Sequence, residues 1–336
     1  MRTDTTALHG YTSAEGDIIT RRAIANYLKA THGANADASF IYLTAGAAGA
    51  LVSVLGAVTD ASESVIALAP FFPEYRVFVE RNGATLKTVK SRVSDFGPDF
   101  DELEKAIDKS VAAVIINSPN NPTGAVYSEE DIIRLSRILT EKSRELGKTI
   151  YIIADEPYRE LVYDGAEVPF IPNYYKDTIV CYSYSKSLSI PGERIGYVFV
   201  SPDATDAEIL FRAICGAGRA LGYVCAPSLL QKLLPSLLGE TSDIKIYEEN
   251  RKILYTSLTE LGFEVVPPKG AFYLFVKSPV PDAKEFSDIA KKYGLLLVPS
   301  DDFGCEGYVR IAYCQSPDMI KRSLSAFSRL ADEFHK

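Results

Sequence analysis

Positive charge is scarce in this chain. Its 336 residues carry 36 lysines and arginines against 44 aspartates and glutamates, a formal net charge of −8. No run of Lys or Arg concentrates positive field on one segment, so nucleic acid is not expected as a partner. Long apolar runs are also missing. Stretches such as Val111 to Ile116 fall far short of a bilayer span, and Met1-Arg2-Thr3-Asp4 opens no secretory signal, so the expectation is a cytoplasmic chain without membrane contact. Cysteine is sparse and unpatterned. Cys181, Cys215, Cys225, Cys305 and Cys314 form no Cys-x-x-Cys pair, so neither a disulfide framework nor a zinc knuckle is expected, and they read as small core hydrophobes in a reducing compartment. His9, His32 and His335 are too far apart for metal-ligand spacing, and no Gly-x-Ser-x-Gly elbow occurs. The glycine-rich stretch Gly216-Ala217-Gly218-Arg219-Ala220-Leu221-Gly222 puts Leu221 where a dinucleotide fingerprint needs glycine, and no clear strand precedes it. A Rossmann dehydrogenase is therefore set aside.

What is present is ordinary globular composition, 47% hydrophobic and 24% charged, with no repeat or low-complexity segment. The length predicts a large domain and a smaller one, divided here as residues 1–210 and 211–336. Four short β-rich runs stand out: Val65 to Leu68, Val111 to Asn117, Ile150 to Ala154 and Thr178 to Tyr182. Between the second and third, Ser128-Glu129-Glu130-Asp131 begins a helix whose apolar face recurs at Ile132, Leu135, Ile138 and Leu139, and Gly147 stops it. Strand, helix, strand at this spacing predicts an α/β fold with a predominantly parallel sheet, whose ligands sit at the carboxyl ends of the strands. Beyond Val200 the pattern changes. Leu229 to Leu238 and Ile244 to Leu261 read as helices, then Phe263 to Val266, Ala271 to Val276 and Val309 to Ala312 as strands, with Pro279, Pro281 and Pro299 at turns and Pro317 to Phe334 as a closing helix.

Chemistry concentrates at the strand ends. One strand runs into Asp155-Glu156-Pro157-Tyr158, a second into Ser183-Tyr184-Ser185-Lys186-Ser187, a third into Asn117-Ser118-Pro119-Asn120-Asn121-Pro122-Thr123-Gly124. Each has a bland alternative. The last is also a good turn, Asp155 a cap, Lys186 a surface lysine. Together, each at a strand end, a carboxylate, phenol, amine, hydroxyls and amide point to one cleft.

Asn-Pro-Thr-Gly, Asp-Glu-Pro-Tyr and Ser-Tyr-Ser-Lys followed by Gly-Glu-Arg-Ile-Gly resemble the class I and II aminotransferases of pyridoxal-phosphate fold type I, in family order from Tyr11 to the C-terminal region. The resemblance implies a large domain with helices on both faces of the sheet, a smaller C-terminal α+β domain, pyridoxal 5′-phosphate as cofactor, amino acids and 2-oxo acids as substrates, and a ping-pong reaction. Lys186 would carry the cofactor and later move protons. Asp155 would face the pyridine nitrogen, Asn121 and Tyr158 the phenolic oxygen, and Phe72 the ring face. The turn Gly46-Ala47-Ala48, with Ser183 and Arg194, would hold the phosphate. Arg310 would clamp the substrate α-carboxylate with Asn121 beside it. Tyr11 would reach the phosphate of a neighbouring subunit, making the active site a property of a homodimer. Ala48 stands where some aspartate-preferring relatives carry lysine.

The family normally has several tens of residues ahead of the position of Tyr11, and here only Met1 to Gly10 precede it. The expectation is a substrate wall lacking that arm, with Arg310 incompletely closed over the carboxylate. Two other readings stay open at the sequence level: a related pyridoxal-phosphate lyase or decarboxylase, and a degenerate, non-catalytic cofactor-binding protein. No catalytic position is replaced, which counts against the latter.

Overall fold

The computed structural model describes residues 5–334, so Met1-Arg2-Thr3-Asp4 and His335 of the sequence reading lie outside it. Seven strands form the large sheet: β1 (Ile41–Thr44), β2 (Ser64–Ala69), β3 (Thr85–Lys90), β4 (Val111–Asn117), β5 (Tyr151–Asp155), β6 (Thr178–Ser183) and β7 (Gly196–Val200), in the order β1-β7-β6-β5-β4-β2-β3. Only β7 runs against the others, pairing antiparallel with both β1 and β6. The continuous apolar runs of the sequence arise because the strands are covered on both faces. Side chains alternate between two cores. Ile66, Val114, Ile116, Ile152 and Val180 pack with helices Ile18–His32 and Glu129–Leu146, while Val65, Ala113, Ile115, Ile153 and Ile179 pack with helices Gly46–Val58 and Ala207–Ala220. Each such fully buried Ile or Val contributes about 1.5–3 kcal/mol of transfer free energy.

Helix Glu129–Leu146 begins and ends where the sequence said it would. Ser128 Oγ accepts from the Asp131 N–H at 3.1 Å, Asp131 Oδ2 accepts from the Ser128 N–H at 3.0 Å, and Gly147 closes it at φ 66°.

A second, antiparallel sheet, β8 (Tyr273–Lys277), β10 (Tyr308–Ala312) and β9 (Val298–Pro299) in that order, covers a separate core that includes Leu254, Leu258, Phe286, Ile320 and Phe327. Three sequence readings change here. Phe263 to Val266 makes one bridge, Val265 to Val276, rather than a strand, because Pro267 and Pro268 follow it without N–H donors. Pro235 divides the Leu229 to Leu238 helix into Ser228–Leu233 and a 3₁₀ turn, Leu234–Ser236. Pro299 ends an edge strand, where a missing donor is tolerated. Of the cysteines, Cys181 and Cys215 are buried, and Cys225, Cys305 and Cys314 are half-buried.

The two edges of the large sheet are finished differently. Along β1, the Leu43 N–H donates to Glu15 O at 2.9 Å, and Gly16, at φ 103°, has no room for a Cβ against Leu43. Along β3, Thr85, Thr88 and Lys90 face solvent, and Lys87 pairs with Asp108 at 2.7 Å.

Candidate active site

Because β4, β5 and β6 are parallel, their carboxyl ends open on one rim, with Asn117 in register with Asp155 and Asp155 with Cys181. A cleft of about 290 Å³ lies there, lined by residues of both sheets. Asp155 is 4% exposed. Tyr75 donates its hydroxyl to Asp155 Oδ2 at 2.5 Å, and the Asn117 amide donates to the Asp155 carbonyl at 2.9 Å. Asp155 Oδ1 is buried with no hydrogen-bond partner among the described residues. Burial pushes this carboxyl up to about 7, the Tyr75 bond opposing and the charge of Glu156 adding. Glu156 is itself paired with Arg159, at 2.7 and 2.6 Å.

Lys186 sits on the short helix Tyr184–Ser187, whose first turn Ser183 caps by accepting from the Ser185 N–H. Its Nζ is 5.3 Å from the Phe272 ring. Burial lowers its pKa, and the charges of Arg194 and Arg310 act in the same direction against an opposing influence of Cys314. An amine held this way is readier to act as nucleophile and base.

Gly46 opens helix Gly46–Val58 at φ 74°, and a Cβ there would stand 2.8 Å from Arg194 Nη2. Glycine lets this turn, with Ala47 and Ala48, approach the guanidinium. Arg194, itself at φ 52°, is held by the Pro191 carbonyl at 2.9 Å, and the Ser183 and Ser185 hydroxyls are 2.7 Å apart beside it. A helix N-terminus, two hydroxyls and a guanidinium form an anion cradle.

On the small-sheet side, Arg310 Nη1 donates to Asn121 Oδ1 at 2.9 Å, which turns the Asn121 NH₂ away from that bond, and the Asn121 N–H donates to Asn117 Oδ1 at 2.7 Å. The Arg310 guanidinium lies 4.6 Å from the Tyr273 ring and 5.1 Å from Phe303, and its Nε is buried without a partner among the described residues. Tyr158 Oη is 3.1 Å from Tyr273 Oη. Phe72 lines the cleft and meets Tyr75 edge to face at 5.7 Å.

Thus Ala47, Ala48, Phe72, Asn121, Asp155, Tyr158, Ser183, Lys186, Arg194 and Arg310 share one cleft, and Gly46 stands at its rim. Tyr11 does not join them. It is 94% exposed on its own chain. Tyr75, Asn117, Ser185 and Tyr273 are the site residues that sequence reasoning passed over. Asn117 and Ser185 lay inside quoted motifs, and Tyr75 falls one helical turn after Phe72, whereas Tyr273 carried no local signal.

The set suits a flat, phosphorylated heteroaromatic ring. The lone Oδ1 of Asp155 would meet a protonated ring nitrogen, the cradle a phosphate, Asn121 and Tyr158 a ring oxygen, Phe72 the ring face and Lys186 an aldehyde carbon. Pyridoxal 5′-phosphate has each of these features.

Known proteins resemble this chain in sequence and fold. The family model "Aminotransferase class I and II" matches residues 2–327. The aspartate/prephenate aminotransferase of Thermus thermophilus is 28% identical over 317 residues, covering 92% of this chain and 80% of its own. A probable N-acetyl-LL-diaminopimelate aminotransferase of Bacillus subtilis is 31% identical over 326 residues, covering 94% of this chain and 79% of its own. The crystal structure of an amino transferase from Eubacterium rectale superposes with a TM-score of 0.98 at 53% identity, covering all of this chain and 84% of that one.

Proposed function

Because this chain belongs to the class I and II aminotransferases, which are pyridoxal-phosphate-dependent, we propose the roles by which its own residues transfer an amino group between an amino acid and a 2-oxo acid. The cofactor, when bound, supplies an electron sink for the charge that develops at the substrate Cα. Lys186 is the attachment residue and the base that carries the Cα proton. Asp155 offers its unpartnered Oδ1 to the ring nitrogen, with Tyr75 fixing the other oxygen. The Gly46-Ala47-Ala48 turn, Ser183, Ser185 and Arg194 bind the phosphate. Asn121 and Tyr158 donate to the phenolic oxygen, Phe72 stacks on the ring, and Arg310 grips the α-carboxylate as a bidentate pair. Donor and acceptor use the same cleft in turn, a ping-pong scheme.

The observation that carries this reading is the buried, one-sided Asp155 carboxylate facing the same cleft as Lys186. A half-reaction screen tests it. Loaded protein mixed with single amino acids should change the cofactor absorbance and release the matching 2-oxo acid. Free ammonia or carbon dioxide as the main product would replace it with lyase or decarboxylase chemistry, which neither the family nor the relatives support.

The reading extends to assembly and place. A homodimer is favoured by the exposure of Tyr11, whose hydroxyl is free to reach the phosphate of a second copy. Free cysteines favour the cytoplasm. Among the described residues no helix is long and apolar enough to cross a membrane. Residues 1–210 make the cofactor-binding domain and 211–336 the small domain in this reading, with Ala226 and Leu234 of the latter packing into the large-sheet core.

A further inference from the structure

We infer that Tyr273 is a positioning residue that donates its hydroxyl proton to Tyr158, strengthening Tyr158 as a donor to the cofactor's phenolic oxygen and so holding the Lys186 linkage in its deprotonated form. The inference rests on the cofactor placement proposed above.

Tyr158 lies just past β5, and Tyr273 opens β8 of the other sheet. Their hydroxyl oxygens are 3.1 Å apart, and Tyr273 is the one hydrogen-bond partner of Tyr158 Oη among the described residues. Either could donate in that bond. Each phenol has a single proton, however. Once Tyr158 points its proton at the phenolic oxygen, it can meet Tyr273 only as acceptor, so Tyr273 must be the donor. A hydroxyl that accepts a hydrogen bond becomes the stronger donor along the chain. Burial keeps both phenols protonated. The Arg310 guanidinium, 4.6 Å from the Tyr273 ring, further favours that phenol as donor.

The consequence concerns protonation. When the nitrogen joining Lys186 to the cofactor loses its proton, the negative charge on the neighbouring phenolic oxygen loses its closest counter-charge. Donors on that oxygen stabilise this form. Weakening Tyr158 should therefore push the nitrogen's pKa upward.

Tyr273→Phe removes the proton and keeps the ring under Arg310. In the pH titration of the loaded enzyme's absorbance, the midpoint should rise by up to about 0.7 unit, the equivalent of one net hydrogen bond. The KM for amino acid should hold while kcat falls, because the clamp is intact. Placing 3,5-difluorotyrosine at position 273, a stronger donor with the ring retained, should move the midpoint the opposite way, and it does not rely on Tyr273→Phe folding well. In a Tyr158→Phe background, Tyr273→Phe should add nothing. An unmoved midpoint in both position-273 variants, or a shift of equal size without Tyr158, would overturn the inference. Borohydride fixation of cofactor on Lys186 in the unaltered enzyme separates the levels: without that label the cofactor placement fails as well, whereas with it a flat titration removes Tyr273's role alone.

Discussion

Asp155 is a carboxyl whose folded environment disfavours charge, and this has a measurable sign. Burial raises it from 3.8 to about 7, so cofactor-free folded protein keeps a proton that the unfolded chain releases. That contribution to stability is present below pH 3.8 and is lost as pH rises through about 7. Asp155→Asn removes the titration. The cofactor-free variant should melt close to the unaltered protein at the acid end and increasingly above it toward pH 8, as calorimetry across that range would show; parallel curves would count against a buried ionising group. In the loaded enzyme the same substitution should lower turnover by about 10²–10³-fold, the scale of removing one preorganised electrostatic partner. Cofactor occupancy, read by absorbance, should change far less. Mass mapping after borohydride reduction should place the label on Lys186, and a label on another lysine would reassign the site. Asp155, Lys186 and Asn121 were legible because each lies in a dense polar motif at or just past the end of a strand. Tyr75 and Tyr273 were not, because their roles arise only when separate elements bring a phenol to Asp155 and to Tyr158.

At the scale of elements, helix Glu129–Leu146 was readable almost to the residue, since capping box, apolar stripe and terminal glycine agree locally. Ser128→Ala should cost about 1 kcal/mol in chemical denaturation. Strands β2, β4, β5 and β6 were readable as short apolar runs. The antiparallel setting of β7 was not, because direction within a buried sheet leaves no mark on periodicity. The failure of Phe263 to Val266 to form a strand was readable only in the two prolines that follow it, since the run itself looks β-like. The turn at Gly46 shows an element boundary acting as binding surface. Gly46→Ala would force a left-handed alanine and press its methyl on Arg194. The strain, about 1–3 kcal/mol, should appear as cofactor affinity weakened by about tenfold in fluorescence titration. Unchanged affinity would show that the cradle tolerates a side chain there.

At the scale of the molecule, two sheets meet at one cleft, so they must keep their relative setting for Arg310 to hold Asn121 and Tyr273 to hold Tyr158. If Tyr11 serves a second copy, cofactor binding and self-association must strengthen each other. Sedimentation should show the dimer constant tightening on cofactor addition, and a fully active loaded monomer would end that proposal. The unequal finish of the large sheet's edges has its own consequence. A strand approaching β3 must dehydrate Lys90 and compete with Asp108 for Lys87, so this rim resists adding foreign chain. The β1 rim relies instead on the segment around Glu15 and Gly16 staying in place. Proteolytic loss of that segment would bare the edge of the mostly apolar strand Ile41-Tyr42-Leu43-Thr44, and the nicked protein should form amyloid-like fibres from the β1 side first.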